Sequence, residues 1–577
     1  MKYDRVIKNG IIVDGTRQPR FRGDIAITNG VIACVGIIDA SDAGEVIDAT
    51  GLIVAPGFVD LHTHYDSQLF WDPYCSISGW HGVTSVVIGN CGFGFAPVRP
   101  ADREYAMKSM TRIEAIPFAS MKEGMPWDWV TFPEFLDSVD RAPKAVNILP
   151  YVPVGPLLIW ALGLKDAKSG RKPTADEHAE ICRLFEEALD AGGCGWSTQR
   201  LDPSGPVSVQ NDFDGTPMVT DVMHDETAIE LAKVMGRRNE GFMQMTLISA
   251  DTDHDWNHPA ELSQISGRPV IWNAFGINDL DPQVHRAPLE RLRKFRERGI
   301  RVIGQADTTC APMIFKMDEW NLFDEVPAWK EATLGTFEER KMKLSDPARR
   351  KALKEKLPSA IIPDFGGIVV IGPTTRQNEK WRDHSLSMIA EKTGKNIVDV
   401  MLDIAVEENL QTEFQGDRSR KRLDYLKELV QDPFTLFGVS DGGAHTRFST
   451  GGRFPTESIV TFVREHGFIT LEEVHWKLSA LPAQVAGFRD RGTLVEGAPA
   501  DIVIYNYESL DILPHEIVFD QPGGEWRRIQ RARGYHYVLV NGEITIRDDQ
   551  QTGARPGQLL RHGGKAIKSN AEKLAAE

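Results

Sequence analysis

Between residues 56 and 485, short apolar segments alternate with longer segments that have a helical pattern, and this alternation constrains the fold most strongly. Short apolar runs bounded by turn residues are typical of buried strands, and strands that alternate with helices are typical of a parallel sheet. Eight such strands predict an α/β fold, a closed (β/α)8 barrel. A doubly wound sheet is the alternative, but the chain lacks the glycine fingerprint of that fold. The predicted strands are residues 58–62, 85–89, 145–152, 195–198, 242–247, 269–273, 301–306 and 436–441. The predicted helices are residues 176–191, 226–238, 288–298, 385–408 and 471–481.

Both ends of the chain have a β pattern. Apolar runs flank the Asn-Gly pairs at residues 9–10, 29–30 and 541–542, which is a strong hairpin signal. The N-terminal strands are too few to bury a core alone. We therefore predict one discontinuous β-sandwich built from residues 1–55 and 486–564, with the barrel of residues 56–485 inserted between its two parts. Residues 565–577 are rich in Lys and Ala and are predicted to be a solvated tail.

The connection between the seventh and eighth predicted strands, at about residues 310–430, is far longer than an ordinary loop. Its part from Met317 to Lys356 is rich in Trp, Lys and Glu and includes Trp320 and Trp329. We predict either a lid over the site or a decoration of the barrel.

Charge and composition exclude several classes of partner. The chain has 66 basic and 82 acidic residues and a net charge of −16, which argues against nucleic acid and against an anionic membrane as partners. There is no run of 18 apolar residues and no apolar segment at the start that would predict a signal peptide. The six cysteines are scattered without paired spacing, so we expect reduced thiols and a cytoplasmic protein. Assembly into a homo-oligomer stays open.

The first predicted strand ends in two histidines, His62 and His64. Residues two apart on a strand point the same way, so both imidazoles can reach one cation. Imidazole is a ligand that zinc and its neighbours in the first transition row prefer. The alternative is that one histidine is structural and the other solvated. Two histidines at the end of a buried strand favour a metal site.

In a (β/α)8 barrel the chemistry lies at the carboxyl ends of the strands, where the other candidate residues are found. Asp441 follows the eighth predicted strand and precedes two glycines, so it can bind a metal and accept a proton from water. His445 can contact the metal ligands, bind substrate or order the glycine turn. Cys91 follows the second strand and is either a thiolate ligand or a small buried residue. Arg200 follows the fourth strand and either anchors a substrate carboxylate or forms a structural ion pair.

Several motifs together resemble the amidohydrolase superfamily, and within it the branch of D-aminoacylases, or N-acyl-D-amino-acid deacylases, called amidohydrolase family 3. The motifs are residues 8–15 (KNGIIVDG), 55–66 (APGFVDLHTHYD), 81–92 (HGVTSVVIGNCG), 440–442 (SDG), 491–494 (RGTL), 497–503 (GAPADIV) and 540–542 (VNG). The resemblance implies a zinc-carrying (β/α)8 barrel, a β-sandwich from both termini and hydrolysis of an amide by metal-activated water. It also implies that His62, His64 and Asp441 hold one metal and that Cys91 is the thiolate ligand of this branch.

The chain departs from that branch at two strand ends. The branch carries one histidine at the end of the fifth strand and one at the end of the sixth, where this chain has Gln244, with Thr246 beyond it, and Asn273. We therefore expect one zinc ion, with a second position weak or absent, and treat Gln244 and Asn273 as substrate-binding candidates. His254 and His258 lie close to each other in the sequence and are predicted to occupy a solvated polar loop; the alternative is that they replace the missing ligands.

These observations predict a hydrolase that cleaves a C–N bond in a small-molecule amide, and an N-acyl amino acid fits best. Asp441 would transfer a proton to the leaving amine, while Arg200 and His445 are candidates for anchoring the substrate. Three alternatives stay open: a lactone or cyclic amide hydrolase, a decarboxylase or other lyase on the same scaffold, and a catalytically inactive binding protein.

Overall fold

The computed structural model describes residues 2–203, 210–310, 312–318, 322–416 and 422–563. Trp320 and the predicted tail at residues 565–577 lie outside these ranges. In the described ranges, no helix is both long enough and apolar enough to cross a bilayer.

Strands from both ends of the chain share one sheet. The two parts meet where Ile53–Pro56 pairs antiparallel with Ile502–Tyr505. The Asn-Gly pairs at residues 29–30 and 541–542 form hairpin turns, as predicted. The strands of this terminal sheet are Tyr3–Ile12, Phe21–Thr28, Val31–Gly36, Ala43–Asp48, Ile53–Pro56, Ile502–Tyr505, Tyr535–Val540, Glu543–Arg547 and Gln550–Gln551.

The hairpin predicted at Asn9 and Gly10 is wrong, because both residues lie inside the continuous strand Tyr3–Ile12. Asn9 has a φ of 62°, and the register against the next strand shifts between Ile7 and Gly10. This left-handed residue makes a β-bulge instead of a turn. Gly10 is needed at the bulge, because a Cβ there would lie 2.5 Å from Val54 Cγ2.

The central part of the chain forms parallel strands in sequence order, as the alternation predicted. These strands are Phe58–Asp60, Val83–Ile88, Asn147–Pro150, Val152–Pro153, Gly195–Leu201, Phe242–Ile248, Val270–Phe275 and Val302–Ala306. Only Tyr151 separates the two halves of the third predicted strand.

The eighth predicted strand, at residues 436–441, is wrong as an element, because this segment has no regular ladder. It makes single parallel bridges instead, from Leu436 to Gln305 and from Gly442 to Thr63. Gln305 Nε2 donates to the Gly438 carbonyl over 2.6 Å, which strengthens the first junction. The segment therefore lies between the last and the first parallel strands, and this position brings Asp441 to the end of the first strand.

The predicted helices form with shifted ends, and the helix predicted at residues 385–408 is divided at Gly394, whose φ is 69°. A left-handed glycine satisfies the end of one helix and prevents its continuation. The α-helices are Arg103–Ile113, Phe118–Gly124, Phe132–Arg141, Val154–Leu162, Leu164–Lys168, Ala175–Ala191, Asp225–Arg238, Thr252–Ser266, Gln283–Glu297, Pro327–Thr333, Phe337–Ser345, Pro347–Glu355, Leu386–Thr393, Ile397–Glu407, Leu423–Gln431, Phe454–Glu457, Leu471–His475 and Leu481–Val485. The strands Asp511–Gln521 and Glu525–Arg533 form a separate antiparallel ribbon.

The insertion predicted at about residues 310–430 has its own antiparallel sheet, formed by Met313–Phe315, Val369–Gly372, His384–Ser385 and Glu413–Gly416. It also has an apolar core of its own, in which Trp329 is fully buried. Ala115 packs against this core from the segment after the helix Arg103–Ile113.

A buried ion pair joins the insertion to that helix, and it gives a testable prediction. Arg112 Nη2 donates to both oxygens of Asp324, over 2.8 and 2.9 Å, with both side chains buried. Removing one partner of such a pair leaves an uncompensated charge, so Arg112→Ala is expected to lower the free energy of unfolding by about 3–5 kcal/mol. Urea unfolding followed by tryptophan fluorescence measures this loss. Arg349→Ala, in the exposed pair with Glu331, is the control and should change little. Equal effects of the two substitutions would contradict the prediction.

Candidate metal centre

His62 and His64 lie just past the strand Phe58–Asp60 and are 2% and 1% exposed. Hydrogen bonds fix the backbone that carries them. Asp60 accepts from the His62 amide over 3.2 Å, and the His64 amide donates to the Gly442 carbonyl over 2.6 Å. The two imidazoles are therefore held on a rigid segment next to residue 441.

The side chains of His62, His64, Cys91 and Asp441, here called the strand-end cluster, lie close together. His62 Nε2 lies 3.1 Å from Asp441 Oδ1 and 3.5 Å from Cys91 Sγ. His64 Nε2 lies 3.8 Å from the same Asp441 oxygen. The ligand atoms of the two histidines and Cys91 all lie within 4.8 Å of one another.

Asp441 is held by the residue before it. Ser440 Oγ donates to Asp60 Oδ2 over 2.6 Å and also lies 2.8 Å from the His62 carbonyl, so it joins the two strand ends. Asp441 itself has a φ of 47°, a left-handed conformation that is uncommon for aspartate. Burial raises the pKa of Asp441, but the hydrogen bond from His62 and the charges of His62, His445 and His64 together outweigh burial and hold that pKa below its usual range. The carboxylate is therefore ionised.

The donor set fits a transition metal such as zinc. Two imidazoles, a thiol and a carboxylate in one buried space are ligands that zinc prefers. Burial lowers the pKa of His64 to about 3, so its ring is neutral, and its buried Nδ1 has no hydrogen-bond partner in the described ranges. Burial raises the pKa of the Cys91 thiol well above its usual value. A cation at this point would reverse that effect and favour the thiolate.

The side-chain amides of Gln244 and Asn273, on the fifth and sixth strands, form a hydrogen-bond chain that reaches the strand-end cluster. The backbone N–H of Cys91 donates to Gln244 Oε1 over 2.8 Å. Gln244 Nε2 donates to Asn273 Oδ1 over 3.0 Å, and Asn273 Nδ2 lies 2.6 Å from His62 Nδ1. The polar atoms of Gln244 and Asn273 therefore form hydrogen bonds within the protein.

The donor-to-acceptor direction of this hydrogen-bond chain decides which His62 nitrogen carries the proton. A backbone N–H can only donate, so Gln244 must present its oxygen to Cys91 and its NH2 to Asn273. Asn273 then presents its own NH2 to His62, and Nδ1 has to accept. The proton of the His62 ring therefore lies on Nε2, where it is donated to Asp441. A metal at Nε2 has to displace that proton.

Glu114 belongs to the surroundings of the strand-end cluster, and the sequence analysis missed it. It is 3% exposed, and its two carboxylate oxygens lie 3.8 Å from His64 Nε2 and 3.2 Å from His445 Nε2. Burial raises the pKa of Glu114 well above its usual value. Glu114 follows a helix instead of a strand, so no strand-end pattern marks it. Its backbone carbonyl also accepts from the His445 amide, so His445 contacts the cluster through Glu114.

His254, His258 and Arg200 lie together around Asp225, away from the strand-end cluster. His254 and His258 lie in the helix Thr252–Ser266, so the predicted solvated loop is wrong. The polar run at residues 251–255 starts a helix, because Asp251 accepts from the amides of residues 253 and 254. Both histidines group with Asp225 instead of with the strand-end cluster, and Arg200 forms an ion pair with the same aspartate.

Known proteins resemble this chain over most of its length. A model described as "Amidohydrolase family" matches residues 45–151 and 372–546. The N-acyl-D-aspartate deacylase of Alcaligenes xylosoxydans xylosoxydans is 26% identical, over 97% of this chain and 95% of that protein. The D-aminoacylase of the same organism is 25% identical, over 97% of each chain. An uncharacterized protein of Mycobacterium tuberculosis is 24% identical, over 99% of this chain and 98% of that protein.

Two solved structures have a similar fold. One is a D-aminoacylase described as having a binuclear metal centre, with a TM-score of 0.66 at 21% identity. The other is an N-acyl-D-glutamate deacylase from Bordetella bronchiseptica complexed with zinc and a phosphonate inhibitor, with a TM-score of 0.66 at 22% identity. Each comparison covers 97% of this chain and 100% of the other. The shared motifs, the family model that matches two stretches of the chain and the relatives aligned end to end all show that this chain is similar to the amidohydrolase family.

Proposed function

We propose that this protein is a metal-dependent hydrolase that removes the acyl group from an N-acyl amino acid. The observation that carries the proposal is the convergence of His62 Nε2, Cys91 Sγ and Asp441 Oδ1, with His64 beside them. The names of the relatives, which include deacylases of N-acyl-D-aspartate and N-acyl-D-glutamate, support this substrate class. We also propose that the parallel strands and the segment 436–442 close into a (β/α)8 barrel with the strand-end cluster at its mouth.

His62, His64, Cys91 and Asp441 are the proposed ligands of one zinc ion. A zinc ion bound there would lower the pKa of water and polarise a carbonyl group. We assign Gln244 and Asn273 to positioning, instead of to substrate binding or to a second ion, because their polar atoms are engaged by Cys91, His62 and each other.

Asp441 is the proposed proton carrier. Its ionised Oδ1 accepts a proton as water attacks the amide carbonyl and returns it to the nitrogen of the leaving amine. The backbone around residues 440–442 keeps this oxygen at the end of the first strand throughout. Burial raises the pKa of Glu114 well above its usual value, which favours the neutral carboxyl that can donate a hydrogen bond.

A pocket of about 60 Å³ is lined in part by sequence neighbours of the strand-end cluster and of Glu114, and we propose that it takes the acyl group. Its lining includes Gly92, the neighbour of Cys91, and Ile113, the neighbour of Glu114. The rest of the lining is largely apolar and includes Met110, Ile159 and Trp160. Such a lining favours an aliphatic or aromatic acyl group over a charged one.

Filling this pocket tests its role. Ile159→Trp is expected to raise KM for substrates with long acyl chains and to leave the KM for N-acetyl substrates nearly unchanged, because only the long chains need the space. Steady-state kinetics on a series of acyl lengths measures this. Leu162→Trp on the same helix, outside the pocket lining, is the matched control. A uniform change across all acyl lengths would show that the pocket does not hold the acyl chain.

The proposed activity is tested by incubating the zinc-loaded protein with N-acyl D- and L-amino acids, lactones and cyclic imides. Product analysis by mass spectrometry should show a free amine and a carboxylic acid in equal amounts. Ring opening without amine release would favour a lactone or cyclic amide hydrolase, and loss of CO2 would favour a lyase. Either result, without deacylation, would overturn the proposal.

A further inference from the structure

A second group of ligand-type side chains lies apart from the strand-end cluster. It consists of Asp225, His254 and His258, here called the rim triad. Asp225 starts the helix Asp225–Arg238, and the two histidines lie one helical turn apart on the helix Thr252–Ser266. Each of these helices follows one of two neighbouring parallel strands, so all three side chains lie beyond the carboxyl ends of those strands.

The two imidazoles are arranged as a pair. Their rings are nearly parallel, at 9°, with centroids 5.4 Å apart. Both direct Nε2 toward the same carboxylate: His254 Nε2 lies 2.8 Å from Asp225 Oδ2, and His258 Nε2 lies 3.8 Å from Asp225 Oδ1. The ligand atoms of all three residues lie within 4.8 Å of one another.

His258 is the independent sign that a ligand is missing. Its side chain is 3% exposed, and its Nε2 has no hydrogen-bond partner in the described ranges. A buried polar nitrogen without a partner is uncommon in native proteins and calls for an explanation such as an ion. On the other side of the ring, Nδ1 lies 3.7 Å from Glu261, a carboxylate that can orient the imidazole.

Arg200 holds the carboxylate in place without using both of its oxygens. Its Nη1 pairs with Asp225 Oδ1, which leaves Oδ2 facing His254. Partial burial raises the pKa of Asp225, but the ion pair with Arg200 lowers it to about 2. Burial lowers the pKa of His258, which favours the neutral imidazole.

We propose that the rim triad is a second metal site, which binds a divalent transition metal such as zinc through Asp225 Oδ2, His254 Nε2 and His258 Nε2. Two imidazoles favour zinc and its neighbours over magnesium or calcium. Asp225 and His254 are 40% and 34% exposed, so the fourth position of a tetrahedral ion faces solvent. The positive charge of Arg200 makes this site weaker than the strand-end cluster. The proposal does not depend on the proposed hydrolase activity.

Zinc binding by the full-length protein tests the second site. The purified protein is stripped with chelator and titrated with Zn²⁺ against a chromophoric competitor, and the bound metal is counted by elemental analysis. We expect two equivalents per chain in the wild type. His254→Gln and His258→Gln should each lose the weaker equivalent, and His64→Gln should lose the tighter one. His254 is partly exposed, so its substitution does not endanger folding.

The matched control is His178→Gln, which changes a partly buried histidine on the helix Ala175–Ala191, outside both clusters, and should keep two equivalents. The same titration with Co²⁺ should show two steps in visible absorption for the wild type. His254→Gln should lack the step that appears at higher Co²⁺ concentration. A single equivalent in the wild type would overturn the proposal, and so would an unchanged metal count in both rim variants. Failure of the amide assay leaves these counts unaffected, so the two proposals fail separately.

Discussion

Replacing Asp441 by Asn is expected to lower kcat/KM for amide hydrolysis by about 10²–10⁴-fold. Asn has nearly the same shape but cannot accept a proton from water or pass one to the leaving amine. The loss should fall mainly on kcat, because the proton is transferred in the chemical step. His62 Nε2 still has an oxygen to contact at 3.1 Å, so the fold of the site is retained.

Metal content has to be measured on the same preparation, since Asp441 is also a proposed ligand. Activity is therefore compared at saturating zinc, with elemental analysis of each sample. Asp14→Asn, just past the strand Tyr3–Ile12, where the carboxylate accepts from the Thr16 amide and hydroxyl, is the control and should keep full activity. Full activity of Asp441→Asn at an unchanged metal content would show that Asp441 is not the proton carrier.

The second large expected effect is a gain in zinc affinity. Asn273→Asp is expected to raise zinc affinity by about 10–100-fold, the range typical of partners that orient a metal ligand. Asn273 donates to His62 Nδ1 and so keeps the ring proton on Nε2, where the metal has to bind. Aspartate accepts a hydrogen bond from Nδ1–H instead, so the ring proton lies on Nδ1 and Nε2 is free for the metal, while its other oxygen still accepts from Gln244.

A third variant separates this effect from a change in packing. Asn273→Leu removes the donor without supplying an acceptor, so its zinc affinity should fall below that of Asn273→Asp. Competitive chelator titrations on the three proteins rank them directly. If the Asp and Leu variants bind zinc equally well, the amide chain does not control the proton on His62.

The sequence predicts the parts of this site that follow from strand geometry. The spacing of His62 and His64 predicts that both side chains point the same way, and Cys91 and Asp441 are predicted beside them because parallel strand ends meet. Asp441 reaches the site even though its segment makes isolated bridges instead of a strand. The single bridges to Gln305 and Thr63 position Asp441 between the last and the first parallel strands, so a regular ladder is not required.

The remaining parts depend on contacts between distant segments, which no local pattern records. Glu114 follows a helix, and only folding brings it to His64 and His445. The rim triad joins Asp225 to a helix whose polar first turn was interpreted as a loop. Gln244 and Asn273 were expected to contact substrate, but their side chains form a directed chain to His62. In the fold, Asn9 and Gly10 make a bulge because Val54 packs against the glycine.

The strand-end cluster is proposed to bind the metal that hydrolysis requires. The most direct test titrates chelator-stripped protein with zinc while recording both bound metal and deacylation of a substrate found in the panel, for the wild type and for Cys91→Ser. We expect no activity without metal, activity that rises with the first, tighter equivalent, and a Cys91→Ser curve shifted to higher zinc. Full activity in the stripped protein, or activity unrelated to occupancy of the first equivalent, would contradict the claim.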